Sequence, residues 1–366
     1  MRVELDNSQG LFNDENDTSS IWSGFLTHYK TLVKAEFGYT ADDGTEYGQT
    51  YSAIVTDNIQ LTAKNTAVMP CRPLISILKD LNADKIGNPG GAYTASELVE
   101  QVRDVDDSNS IPFFTEVMPT ALWSIEATTN TYTNLTASSQ LEDIDCLEFV
   151  RQLGEAENRV TFSKLDGTLT WNQNIQNTTA AVYEFYGAGF HSSEYGHNIQ
   201  SVDNMVRAVD KVYNRVRVKY EEPDTSTSYH TEEQTFTIGD KSSSDIYGVR
   251  TYEFENEWIP DATVAEDLAQ AIQTEYLNPK REFTLNAKFV PHLDALDRVK
   301  VWYDPARARD IEEDDGIWDV SEWDTNAEWV GESGDPYEFY GVDFFIMSQT
   351  INLDRFTTQF KLREIG

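Results

Sequence analysis

The chain has 366 residues, with 28 Lys and Arg against 63 Asp and Glu, a formal net charge of −35. A surface this negative repels nucleic-acid phosphates and anionic lipid heads, so the composition argues against both sequence-specific nucleic-acid binding and membrane binding. An apolar content of 39%, with 12% aromatic residues, excludes a wholly disordered chain and allows two or three domains with real cores.

The first residues of the chain and its cysteines predict the cellular compartment of the protein. Residues 1–6 alternate charged and apolar side chains like a strand, so we expect no secretory signal. No apolar run approaches the roughly 20 residues that a membrane-spanning helix needs. Cys71 and Cys146 are too few for a disulfide framework, and their apolar, helical or pre-helical surroundings predict buried free thiols. We therefore expect a soluble protein made in a cytoplasm, without membrane insertion.

Residues 1–87 are predicted to form a β-domain with one short helix. Aromatic-rich or alternating strand candidates lie at 21–25, 32–39 and 51–61. The Asp-Asp-Gly turn at 42–44 joins the last two as a hairpin. Apolar residues at helical spacing predict a helix over 71–81, with Pro73 in its first turn. The Asn-Pro-Gly-Gly sequence at 88–91 marks a break in the chain.

Residues 88–201 are predicted to form an inserted α+β domain. Thr94 and Glu97 have the spacing of a capping box at the start of a helix. A second helix is predicted over 143–153, where the apolar residues form one stripe and Gly154 follows the helix end. Two short strand patterns then flank Asp166-Gly167, which indicates a hairpin.

Residues 202–366 are predicted to form a second β-domain. Arg215, Arg217 and Lys219 alternate with apolar residues, which indicates a strand with one basic and one apolar face. For these cations we favour ion pairing within the molecule or with a neighbouring chain over a ligand site. Surface loops are predicted at 221–228 and 240–245.

A well-marked helix opens the C-terminal part of this domain. Thr263 and Glu266 have capping-box spacing after Pro260, and Asn278-Pro279 stops the helix. Apolar residues recur every four positions from Val264 to Tyr276. Strand patterns of period two follow at 282–289, 299–303, 344–346 and 356–362, the last with Phe356, Thr358, Phe360 and Leu362 on one face.

An acidic insert, residues 304–338, interrupts these strands. In an EF-hand frame Glu313, Asp315 and Glu322 are correctly placed, but Ile311 occupies the first ligand position, so the calcium motif fails. A looser divalent-ion site built from these three acids is the alternative to our expectation of no metal. The insert also carries three tryptophans, which could pack on their own domain, form a subunit interface or stack on sugars: Trp318, Trp323 and Trp329.

Motifs for catalysis are missing from the sequence. It contains no P-loop, no G-x-S-x-G nucleophile elbow and no HExxH zinc motif. Carboxylate pairs suited to glycoside hydrolysis are uninformative among 63 acids. We therefore expect no enzymatic activity and no cofactor.

The C-terminal region resembles the C-terminal barrel of tail hub proteins of tailed phages, which are related to the central baseplate hub of contractile tails. The helix ending in Tyr276-Leu277-Asn278-Pro279, the run Pro291 to Val301 with the pattern P-x-L-x-x-x-D-x-V-x-V, and the final hairpin 344–365 follow in the order typical of that family. Residues 3–7 and 22–25 are similar to the first hub barrel. Residues 143–171 are similar to the inserted domain.

The resemblance implies a mainly β, α+β fold with two small tube-like β-barrel domains, docked helices and an inserted α+β domain. It implies a homotrimer whose ring caps the tail tube and anchors the tail tip in the virion, after assembly in the host cytoplasm. The implied partners are the tail tube protein, the distal tail protein, the tape measure and the tip or receptor-binding proteins. An acidic lumen would let DNA pass without sticking.

Two other functions stay open on the residues alone. A carbohydrate-binding or adhesin-like β-protein would use the tryptophans at 318, 323 and 329 to stack on sugars. A secreted hydrolase from a saline habitat would explain the acidity, but it lacks a recognisable nucleophile or metal constellation.

Overall fold

The computed structural model describes residues 2–6, 32–40, 44, 46–55, 60–61, 66–83, 86, 92–104, 120–133, 141, 144–173, 180–188, 190, 197–221, 227–233, 237–238, 241–256, 258–259, 261–304 and 338–365. The helices are α1 Ala95–Asp104, α2 Cys146–Ala156, α3 Ser243–Tyr247 and α4 Ala262–Tyr276, with 3₁₀ helices at Leu74–Asp80, Thr120–Leu122 and Val209–Lys211. The strands are β1 Arg2–Asp6, β2 Leu32–Thr40, β3 Glu46–Val55, β4 Gln60–Leu61, β5 Thr66–Pro73, β6 Ala92–Thr94, β7 Trp123–Ile125, β8 Thr131–Thr133, β9 Arg159–Ser163, β10 Leu169–Gln173, β11 Tyr183–Tyr186, β12 Ile199–Arg207, β13 Arg215–Glu221, β14 Thr227–Glu233, β15 Thr237–Ile238, β16 Lys241–Ser242, β17 Thr251–Glu255, β18 Arg281–Lys288, β19 Arg298–Tyr303, β20 Phe339–Asn352 and β21 Thr357–Glu364.

The chain divides into two compact units, each made of two chain segments. Unit 1 comprises Met1–Asn174 and Tyr213–Leu277, and unit 2 comprises Ile175–Val212 and Asn278–Gly366. Residues 213–277, which the sequence assigns to the second β-domain, pack with the first part of the chain. The division at residues 87 and 201 into three domains stays a prediction.

Unit 1 is built from several small sheets. One sheet has the order β1-β5-β3-β2 with β4 added to β5, and others have the orders β7-β10-β9 and β14-β13-β17, beside the pairs β6-β8 and β15-β16. The predicted hairpin of β2 and β3 is confirmed, with Leu32 opposite Ile54 and Thr40 opposite Glu46. The predicted hairpin of β9 and β10 is also confirmed, and Gly167 supplies its positive φ of 94°.

The core of unit 1 centres on the contact between α2 and the β9–β10 hairpin. Phe149, Leu153 and Trp171 are fully buried, and the Trp171 indole Nε1 donates to the Val150 carbonyl oxygen at 3.2 Å. The prediction that Gly154 follows the helix end is wrong, because Gly154 lies inside α2. A Cβ at this position would lie 2.9 Å from Trp171 Nε1, so glycine is required by close approach.

The helix starts show one confirmed capping box and one wrong prediction. At α1 the Thr94 backbone N–H donates to Glu97 Oε2 at 2.8 Å, and the Glu97 N–H donates to Thr94 Oγ1 at 3.3 Å. At α4 the cap is Asp261, whose Oδ1 accepts from the backbone N–H groups of Thr263 and Val264. Asp261 has extended backbone geometry, so its carboxylate reaches the free N–H groups ahead of Thr263.

Three further element predictions need correction. Cys71 lies in strand β5, and the helix predicted over 71–81 is a 3₁₀ helix that starts at Leu74, after Pro73 ends the strand. The predicted loops at 221–228 and 240–245 contain the start of β14, the strand β16 and part of α3. The prediction of buried free thiols at Cys71 and Cys146 is confirmed.

Unit 2 is a six-stranded half-barrel sheet with the order β11-β19-β20-β21-β18-β12. All pairs are antiparallel except β11 with β19. Phe283, Phe339 and Phe344 form an aromatic cluster on its inner face, with ring centroids 4.9 to 5.1 Å apart. The predicted fold class, mainly β with docked helices, is confirmed. The prediction that Phe356 shares the buried face of β21 is wrong, because Phe356 is 67% exposed in the turn before that strand.

Candidate assembly surfaces

The structure describes only part of the predicted site. The three tryptophans Trp318, Trp323 and Trp329 lie outside the described residues, as do the acids Glu313, Asp315 and Glu322, so their roles stay predictions. Arg215, Arg217 and Lys219 all lie on β13, with the alternation that the sequence indicates: Val216, Val218 and Tyr220 are buried on the opposite face.

The cations of β13 meet carboxylates on the neighbouring strand. The parallel register sets Arg217 beside Glu253 and Lys219 beside Glu255. The Arg217 guanidinium lies 3.2 Å from the Glu253 carboxylate, and the Lys219 ammonium group pairs with the Glu255 carboxylate. Since the Glu253 side chain is 72% exposed, this ion pair adds little to stability, about 0–1 kcal/mol. The pairs locally neutralise the face that the sequence marks as basic.

A polar cleft of about 340 Å³ lies in unit 1, between α2, β13 and β17. Its lining residues are Arg151, Gln152, Glu155, Lys219, Tyr220, Glu255 and Asn256. Arg151 donates to Glu148 at 2.7 Å and to Glu155 at 3.1 Å, and the hydrogen bond from Arg151 lowers the pKa of Glu148. The charged groups of the cleft thus bind each other, and none of the described residues that line it is a serine, cysteine or histidine.

The described residues contain neither a metal-binding cluster nor a membrane-spanning helix. In those parts of the chain no group of three or more His, Cys, Asp and Glu side chains is placed to hold a metal ion. None of the helices that the structure describes is both long and apolar enough to span a bilayer.

Unit 2 contains the β20–β21 hairpin, whose surface the sequence patterns did not indicate as a site. Strand β19 pairs with β20 only as far as Arg298 opposite Phe345, whereas β20 continues to Asn352 beside β21. Along Met347–Asn352 no described strand pairs with the other edge of β20. The hairpin also exposes large apolar side chains: Met347 at 43%, Leu353 at 53% and Phe356 at 67%.

The base of this hairpin is held by an ion pair. The Arg281 guanidinium donates to both Glu364 carboxylate oxygens, at 2.9 and 2.7 Å, and lies 4.8 Å from the centre of the Phe339 ring. This two-bond geometry joins the start of β18 to the end of β21. The scarcity of charge between Ile346 and Phe360, where only Asp354 and Arg355 are charged, is the sequence signal that could have indicated this surface.

Comparison with known proteins gives structural neighbours only. No protein-family model matches the chain, and no curated protein matches it. A tail protein from Neisseria meningitidis MC58 aligns over 93% of this chain and 93% of its own, at 13% identity and a TM-score of 0.49. Prophage tail protein gp18 from Listeria monocytogenes EGD-e aligns over 92% of this chain and 86% of its own, at 14% identity and a TM-score of 0.41. The 43 kDa tail protein of prophage MuSo2 from Shewanella oneidensis aligns over 90% of this chain and 88% of its own, at 12% identity and a TM-score of 0.46.

Proposed function

We propose that this chain is a structural protein of a phage tail, a hub that forms a ring at the end of the tail tube and anchors the tail tip. The observation that carries the proposal is the order of elements between residues 262 and 365. Helix α4 ends three residues before Pro279, and strands β18 and β19 flank the Pro291-to-Leu293 turn. The β20–β21 hairpin then lies between β19 and β18 in the sheet of unit 2. That order is the one that the hub resemblance implies.

The charge supports a role around DNA without binding it. A net charge of −35 makes a carboxylate-lined channel repel the phosphates of a passing genome, so the DNA slides through without sticking. We assign the acidity to the lumen of the ring. A channel of this kind needs no base-specific contact, because its task is to leave DNA mobile.

A non-enzymatic role fits the chemistry of the described residues. In the unit 1 cleft the arginine and lysine are each engaged by carboxylates, which leaves no positioned cation for a substrate phosphate or carboxylate. Ion pairs that join neighbouring strands and helix turns suit a rigid scaffold. We therefore propose a structural protein without cofactor, located in the virion tail and assembled in the host cytoplasm.

The proposed assembly is a homotrimer with two tube-like barrels in each copy, divided near residues 87 and 201 by the inserted domain. Its partners are the tail tube protein, the distal tail protein, the tape measure and the tip or receptor-binding proteins. Trp318, Trp323 and Trp329 of the acidic insert are proposed contact residues, because tryptophan is enriched where protein interfaces bind tightly. The basic strand with Arg215, Arg217 and Lys219 is a second proposed contact.

Light scattering after size-exclusion chromatography tests the assembly. The purified chain at micromolar concentration is expected to elute with three times its monomer mass. A monodisperse monomer, alone and after mixing with tail tube protein, would overturn the proposal. Glycan-array binding that Trp323→Ala abolishes would favour the adhesin-like alternative instead.

A further inference from the structure

We propose that the open edge of β20, Met347–Asn352, with the apolar tip formed by Leu353 and Phe356, is a contact surface for a second copy of this chain, which adds a strand to this edge. The inference rests on the proposed function, since it names the surface through which copies of a ring would join.

The first support is the unpaired backbone of the edge. Ile346 makes the last contacts of β20 on this side: its N–H donates to the Asp297 carbonyl oxygen at 3.1 Å, and its own carbonyl oxygen accepts from the Leu296 N–H at 2.7 Å. Beyond it, β20 has a register shift against β21 at Ile346/Ser348, and Ser348–Asn352 pair only with β21 among the described strands. The groups that point away from β21 can therefore accept another strand.

The second support is that the other strand edges of unit 2 are protected. Strand β12 has two register shifts against β18 along its length, at Ile199/Ser201 and Asp203/Val206, and bulges of this kind turn an edge away from further pairing. The one shift of β20 against β21, at Ile346/Ser348, lies at the start of the open edge and leaves Ser348–Asn352 in regular register. At the β11 edge, the Asn198 side chain accepts from the Tyr186 N–H at 2.7 Å and occupies the position that a strand would take. Met347–Asn352 contain no charged residue and no proline, so they have none of the sequence features that usually block strand addition.

The third support is the exposed apolar tip. Phe356 is 67% exposed and has a φ of 50°, a left-handed conformation that bulky residues rarely adopt. Its ring meets Phe289 edge-on, with centroids 5.8 Å apart, so the turn holds the phenyl group in a defined position at the surface. A positioned, exposed aromatic side chain is the type of residue that anchors a protein interface.

The charge of the β20 edge favours a second copy of this chain as the molecule that binds there. Two molecules that each carry a net charge of −35 repel each other unless the surfaces that meet are neutral. Residues 346–360 contain one Asp and one Arg, Asp354 and Arg355, so their net charge is zero. A basic partner protein would instead gain most from the acidic surfaces elsewhere on the chain. A neutral, apolar edge therefore suits another acidic molecule, and this chain itself is one.

Matched double variants of the full chain test the inference. Thr350→Lys with Phe356→Ser places a charge on the edge and removes the aromatic anchor. The control, Gln200→Lys with Val206→Ser, makes the same types of change at exposed positions of the protected β12 edge. The dissociation constant of the assembly is measured by mass photometry, and far-UV circular dichroism checks folding. We expect the β20 variant to weaken assembly at least tenfold and the control to leave it within twofold.

The outcomes separate this inference from the proposed function. The inference is overturned if the wild type assembles and the β20 variant assembles equally well. It is also overturned if both variants weaken assembly to the same extent. Neither result contradicts the proposed ring. If the wild type stays monomeric at all concentrations, both alone and mixed with tail tube protein, the inference and the proposed function both fail. Should the β20 variant not fold, hydrogen exchange of the wild type decides: protection of the amides of 347–352 must rise with protein concentration, and unchanged exchange across assembly overturns the inference.

Discussion

The N-terminus of helix α4 offers the sharpest test of the fold, because the sequence and the structure name different capping residues. Asp261 Oδ1 accepts from the Thr263 N–H at 2.8 Å and from the Val264 N–H at 3.0 Å. Replacing an N-cap aspartate by alanine costs about 1 kcal/mol, within a range of about 0.5–2. The loss of a negative charge at the positive end of the helix dipole adds about 0.3–1 kcal/mol.

A second electrostatic effect offsets part of this loss of helix stability. Burial is the largest cause that raises the pKa of Glu157 and that of Tyr132, and the charge of Asp261 adds a smaller upward effect on both, so the two carboxylates repel each other. Removing Asp261 relieves that repulsion. We therefore expect Asp261→Ala to destabilise the start of α4 by about 1 kcal/mol net. Asp261→Asn keeps the acceptor oxygen and should cost less than half as much.

Hydrogen exchange measured by mass spectrometry on peptides that cover residues 262–268 is the assay. A loss of about 1 kcal/mol corresponds to roughly fivefold faster exchange of these amides. Thr263→Ala is the matched control, since the capping-box spacing makes Thr263 the cap whereas the structure places it in the first turn. If Thr263→Ala speeds exchange as much as Asp261→Ala does, or if Asp261→Ala leaves exchange unchanged, the assigned cap is incorrect.

Three further substitutions have defined expectations. Gly154→Ala should lower the free energy of unfolding, measured by urea titration, by about 1–3 kcal/mol, because its Cβ would lie 2.9 Å from Trp171 Nε1. The control Gly48→Ala should change the free energy of unfolding much less, because the nearest atom to its Cβ is 3.7 Å away. Gln349→Leu should raise the melting temperature, because both polar atoms of the Gln349 amide are buried with no hydrogen-bond partner in the described structure. Leaving such groups unsatisfied costs about 1–3 kcal/mol. A lower melting temperature of the variant would show that the amide has hydrogen-bond partners. Burial raises the pKa of Glu157 above its ordinary 4.5, so the folded state keeps this proton to higher pH than the unfolded state does. The unfolding free energy should then fall as pH rises from 4.5 through the raised pKa, and urea titrations of Glu157→Gln should lack this decline; an equal slope in both proteins would refute the assignment.

Local patterns carried most of the correct predictions. The Asp166-Gly167 turn between two strand patterns predicts the β9–β10 hairpin, and the Thr94/Glu97 spacing predicts the cap of α1. Both depend on residues that are close in the chain. The same capping rule is wrong at Thr263 because Asp261 competes for the free N–H groups, and the backbone geometry that decides between them is not visible in residue spacing.

The features that sequence patterns could not supply depend on contacts between distant residues. Gly154 has the sequence context of a helix end, but it lies inside α2, where the close approach of Trp171 from a hairpin strand requires glycine. The alternation on β21 predicts an inward Phe356, but the strand begins one residue later and the turn takes that side chain outward. The open edge of β20 exists because β19 begins only at Arg298, which lies opposite Phe345, and residue spacing does not show this register.

Only part of the candidate site could be predicted from the sequence, because its ion pairs also join residues that are distant in the chain. The alternation on β13 correctly indicates one basic and one buried face. Its ion pairs with β17 were not assigned, because the parallel register that sets Arg217 beside Glu253 joins residues 36 positions apart. The roles of Trp318, Trp323 and Trp329 stay predictions.

Electron microscopy of the purified chain at micromolar concentration tests the central proposal most directly. A structural hub of a phage tail predicts ring-shaped particles with threefold symmetry and a central pore wide enough for duplex DNA. Discrete globular monomers, or closed oligomers without a pore, would contradict it.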